Sequence, residues 1–82
     1  LPILHNDDLI GRMDMAMDRK SNTLEVTSTY AEADAPANAV DAIRDSVHNL
    51  ATFLGAETVT YGKTIPKIWK SLQGILFYQA RR

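Results

Sequence analysis

The chain has 82 residues, a formal net charge of −1 at pH 7 and no cysteine, which excludes disulfide staples and thiolate metal sites. A chain this short forms one domain and buries only about 60 to 65% of the surface its unfolded form exposes. The near-zero charge hides an asymmetry: residues 1–57 hold four cations against all ten acids, whereas residues 58–82 hold five cations and no acid.

The opening, Leu1-Pro2-Ile3-Leu4-His5, has no initiator methionine, charged n-region or apolar h-region, and reads as a piece of something larger. The longest apolar run, Ile75-Leu76-Phe77 with Tyr78, is far below the roughly 20 residues that span a bilayer. A cytoplasmic location with no membrane association is the expectation. Two apolar segments flank Asn6-Asp7-Asp8, residue types that tolerate left-handed backbone, and this predicts a hairpin.

In the second segment Leu9, Gly11, Met13 and Met15 alternate with Ile10, Arg12, Asp14 and Ala16. In the third, Leu24, Val26, Ser28 and Tyr30 alternate with Glu25, Thr27 and Thr29. Both patterns predict strands with one wetter face. The methionines at 13, 15 and 17, spaced as on a strand, read as core. Between the two strands, Arg19 and Lys20 fall in an expected protruding loop, with Asn22 in the left-handed position that glycine often fills.

A helix follows, with Asp34 placed to cap it and Pro36 in its first turn. Val40, Ile43, Val47, Leu50 and Leu54 recur at intervals of three and four, with Ala39 and Ala51 widening the stripe. Asp41, Asp45, His48 and Thr52 occupy the opposite side, and Gly55 ends the helix. Ala56–Gly62 reads as a short strand, Gly62-Lys63-Thr64 as a turn, and Thr64–Gln73 as a last helix on which Ile65, Ile68, Trp69 and Leu72 share a face. Gly74 is placed to stop or kink it. The order β-β-β-α-β-α predicts an α+β fold: an antiparallel sheet of three to four strands with one long amphipathic helix packed on it, residues 1–82 forming a single domain.

Chemistry-bearing constellations are scarce. His5 and His48 are far apart and lack a partner at metal spacing, so no metal ligand is assigned, and no cofactor motif is present. Serines 21, 28, 46 and 71 lack a nucleophile-elbow context. Asp41 and Asp45 sit one helical turn apart with Arg44 beside them, an arrangement typical of a solvated face. What remains is the cationic end: Lys67 and Lys70 on one side of the last helix can straddle phosphates, with Lys63 nearby, while Trp69 reads as core. No catalytic residue is assigned.

Three stretches, "LPILHNDDLIGRMD", "DRKSNTLEV" and "LATFLGAETVTYG" with the short helix after it, together resemble the C-terminal region of the YcaQ-like winged-helix DNA glycosylases. These are bacterial proteins associated with excising alkylated bases and unhooking interstrand crosslinks. The resemblance covers roughly residues 1–72 in order. It departs at Asn6 and Asn22, where the family pattern has glycine, and at Asp8 and Glu25, where it favours arginine. The family's catalytic Gln-x-Gln or Gln-x-Asp motif belongs to an N-terminal winged helix and has no counterpart here, since Gln73 and Gln79 stand in other contexts.

The resemblance implies a non-catalytic C-terminal module that scaffolds upstream winged-helix domains of a DNA-repair protein. Arg19, Lys20, Lys63, Lys67 and Lys70 are its DNA-binding candidates. The alternative is a protein-interaction or dimerisation module, forming a homodimer, with no nucleic-acid role.

Overall fold

The computed structural model describes residues 1–74 and Phe77. Strands β1 (Pro2–His5), β2 (Asp8–Asp18), β3 (Thr23–Ala31) and β4 (Thr58–Thr64) lie side by side in chain order. Helix α1 (Val40–Leu54), preceded by a 3-10 turn (Ala37–Ala39), joins β3 to β4, and a 3-10 segment (Lys67–Gly74) follows. The α+β class and the element order are those read from the sequence. The sheet, however, is mixed: β1, β2 and β3 pair antiparallel, but β4 is parallel to β3. The reason is α1, whose 15 residues rise about 22 Å and return the chain to the end where β3 began.

The first turn has Asn6 at φ 52° and Asp7 at φ 69°, positive at both central residues as a twisted two-residue hairpin requires. Asp8 already belongs to β2. Two irregularities then reset the strand alternation. Opposite β1, Ile10 is an extra residue in β2, and both Ile10 and Gly11 are buried. Opposite β2, Thr27 is the extra residue in β3, so the inward set changes from Leu24 and Val26 to Thr29, and Tyr30 turns outward. The uninterrupted alternation expected for this strand is therefore broken at Thr27, whose hydroxyl donates to the Asp14 carbonyl at 3.0 Å.

One sheet face packs against the α1 stripe of Ile43, Val47 and Ala51, enclosing Met13, Leu24 and Val26. Burying each of the large aliphatic residues contributes about 1.5–3 kcal/mol. Trp69 and Leu72 close the core, both fully buried, and the indole N–H of Trp69 donates to the Pro36 carbonyl at 3.0 Å. Gly11 is required beneath that ring, because a Cβ there would collide with the Tyr30 carbonyl and press on the indole.

The helix ends differ from expectation. No side chain caps α1 or its leading 3-10 turn; Asp34 lies in the preceding turn, and Pro36 stands just before the helical residues. The final segment is 3-10 rather than α-helical and is interrupted at Trp69 (φ −117°, ψ 19°). Its three-residue period buries Trp69 and Leu72 but leaves Ile68 42% exposed. Lys63 lies inside β4, not in a turn. The sequence segment after Gly74, apart from Phe77, lies outside the described residues.

Candidate functional site

The loop between β2 and β3 does not protrude. Its four residues fold against the C-terminal end of α1, where helix carbonyls are left without intrahelical donors and carry the negative end of the helix dipole. The Arg19 Nη1 donates to the Leu54 carbonyl at 2.9 Å, and Asn22 Nδ2 donates to the Gly55 carbonyl at 2.8 Å. In return the Glu57 N–H donates to the Asn22 carbonyl at 2.7 Å. Gly55 at φ 74° turns the chain out of the helix, and its last turn has no cation of its own. Arg19 supplies one.

The loop's shape comes from Asp18, which accepts a bond from the Lys20 N–H at 2.9 Å. The Ser21 side chain, with the Lys20 N–H second, holds the Asp18 carboxyl below its ordinary range. Asn22 adopts φ 55°, the left-handed conformation expected from the sequence, and is buried. The neighbouring hydroxyls of Thr23 and Thr58, 2.8 Å apart, tie β3 to β4 at the same end.

The five cationic candidates do not form one patch. Arg19 and Lys20 are exposed at the end of the sheet where Thr23 pairs with Thr58. Lys63 lies near the opposite end of β4, about 17 Å further along the strand at its usual rise per residue. Lys67 and Lys70 follow it, both exposed, on the interrupted 3-10 segment. The structure thus separates a structural cation, Arg19, from a group of exposed lysines at the far end.

On α1, Arg44 bridges Asp41 at 3.3 Å and Asp45 at 3.0 Å, so these carboxylates form a paired surface. His48 is less wet than its side of the helix implied. Its ring lies 4.8 Å from that of Phe77, and its buried Nε2 has no hydrogen-bond partner among the described residues. Desolvation lowers the His48 pKa, the Arg44 cation lowers it further, and Asp45 opposes them. The Tyr61 hydroxyl is likewise buried and unpartnered among the described residues, and desolvation raises its pKa against the opposing effect of Arg44.

No protein-family profile matches this chain, nor does any curated protein or solved structure. What it can do chemically follows from its own side chains. Among the described residues no group of three His, Cys, Asp or Glu side chains is placed to hold a metal ion, and no helix is long and apolar enough to cross a membrane. An apolar groove of about 160 Å³ lies between the β1–β2 hairpin and α1, walled by Ile3, Met13, Met15, Ile43, Val47 and Leu50 among others. Such a lining, apolar apart from His5 and Ser46, suits apolar side chains. The sequence reading missed this groove, although a signal was present: the second segment's alternation runs to Met17, much further than the four-residue first strand can cover.

Proposed function

We propose that the chain is the C-terminal, non-catalytic module of a DNA-repair glycosylase-like protein, a scaffold that lends phosphate contacts to duplex DNA held by winged-helix domains upstream. The observation that carries this reading is the exposure of Lys63, Lys67 and Lys70 together on an acid-free stretch of sequence. Cations gathered on one short stretch of chain with no acid among them are neutralised by a polyanion, and duplex DNA does this with release of counterions. Trp69 contributes by shaping the segment from below, since its fully buried ring is beyond the reach of a nucleobase. Arg19 is assigned to holding α1.

The test is the salt dependence of duplex binding by the intact parent protein. Replacing Lys63, Lys67 and Lys70 with alanine is expected to reduce the slope of log Kobs against log salt by roughly 2 to 3, about 0.9 for each phosphate that is no longer neutralised. Arg19→Ala is expected to leave the slope unchanged while lowering stability. An unchanged slope in the triple variant overturns the contact role, and a parent without winged-helix domains overturns the family assignment.

A further inference from the structure

β2 is much longer than the strand that covers it. β1 pairs with Asp8–Arg12, and two further hydrogen bonds complete the pairing: the Met13 N–H donates to the Leu1 carbonyl at 2.8 Å and the Leu1 amino group donates to the Met13 carbonyl at 2.6 Å. From Asp14 to Asp18 no described strand lies on that side of β2. Antiparallel ladder residues alternate in direction. Because Met13 bonds toward β1, Met15 and Met17 direct their N–H and C=O groups the same way, while the Asp14 carbonyl points toward β3 and accepts from Thr27. Among the described residues this stretch, roughly 15 Å of strand, thus has no partner on that side, and Met15 and Met17 carry its outward N–H and C=O groups.

The two faces beside this edge differ in chemistry. On the helix side, Met15 and Met17 are only half-buried and continue the apolar groove, with Leu50 as its α1 wall. Phe53, 86% exposed, extends that wall by one helical turn. On the other side Asp14 and Asp18 flank Ala16, whose cross-strand neighbour is Glu25. Of the neighbouring arginines, Arg12 lies 4.6 Å over the Tyr30 ring and Arg19 is turned to Leu54.

We propose that the Asp14–Asp18 edge of β2 is a strand-binding site for an extended peptide of another protein, one in which apolar and basic residues alternate. The peptide adds antiparallel to β2 in line with β1. Its apolar side chains enter the groove against Met15, Met17, Leu50 and Phe53, and its lysines or arginines stand beside Asp14, Asp18 and Glu25. Charge also selects against a second copy. Pairing this edge with itself in the two-fold manner brings Asp14 and Asp18 of one chain against Asp18 and Asp14 of the other, and like charges directly opposite are destabilising.

The experiment is a backbone amide NMR titration of the full chain with a capped seven-residue peptide alternating lysine and valine. Its controls are the same peptide with glutamate for lysine, and one N-methylated at every second backbone amide. Saturable shifts confined to residues 14–18, Leu50 and Phe53 are expected, with the glutamate and N-methyl peptides binding at least about tenfold more weakly. Asp14→Lys is expected to weaken the lysine peptide about fivefold and to strengthen the glutamate one. Phe53→Lys, at a position exposed enough to leave the fold intact, is expected to weaken the lysine peptide as well. Equal binding of both charge types, shifts centred on β4, or concentration-dependent self-association through residues 14–18 overturns the proposal.

Discussion

Asn22 serves two purposes with one side chain. Its left-handed backbone, φ 55°, turns the chain into β3, and its amide satisfies the Gly55 carbonyl, so glycine at this position supplies the turn but not the bond. Asn22→Gly is therefore expected to cost about 1 kcal/mol, and Asn22→Ala about 1–3 kcal/mol, because alanine loses the bond and is also strained at positive φ. Arg19→Ala, which removes an exposed donor from the same helix end, is expected to cost about 0.5–1 kcal/mol and less at high salt. Chemical denaturation checks all three. A double-mutant cycle between Arg19 and Asn22 is expected to be non-additive, since both satisfy carbonyls of one helix end. The sequence made the backbone requirement at Asn22 legible, through a residue type suited to it. It could not reveal the destination of Arg19, because Leu54 lies 35 residues away and a carbonyl acceptor leaves no trace in residue type.

The elements were readable wherever one periodicity governed them. The α1 stripe is the clear case, because spacings of three and four put Ile43, Val47 and Ala51 on one side whatever the partner. Strand β3 failed at Thr27, since a single extra residue reverses which side chains point inward and threonine is compatible with either face. The direction of β4 was also hidden; composition says strand, but only the crossover through α1 makes the pairing parallel. The same irregularity gives an element-level prediction. Gly62 packs so tightly on the Thr27 backbone that an added Cβ would collide with its carbonyl. Gly62→Ala is expected to lower stability by about 1–3 kcal/mol, and hydrogen exchange is expected to show loss of protection concentrated in β4 and the facing part of β3. Equal protection loss throughout β1 and β2 would instead mean that β4 does not open separately.

For the molecule as a whole, two buried or tightly bonded titrating groups set where stability depends on pH. His48 binds its proton less readily in the fold than its ordinary value of 6.5, chiefly through desolvation and then through Arg44. A depressed histidine pKa means that the unfolded chain takes the proton first. Stability is then complete well above pH 6.5 and declines as the pH falls from about that value through the folded pKa. Asp18 acts in a different window. Its carboxyl is held below 3.8 by Ser21 and Lys20, so the stability it contributes is present above that value and declines as the pH falls through its lower folded pKa. The denaturation midpoint of the full chain is accordingly expected to drop across the interval that begins as the pH falls below about 6.5. His48→Leu, which removes the titrating ring but keeps an apolar neighbour for Phe77, is expected to flatten that interval and leave the acid limb intact. Asp18→Asn is expected to do the reverse, diminishing the loss below about pH 4 without altering the neutral limb. If His48→Leu leaves the neutral-range decline untouched, the ring is solvated in the native state and its packing on Phe77 does not hold in solution.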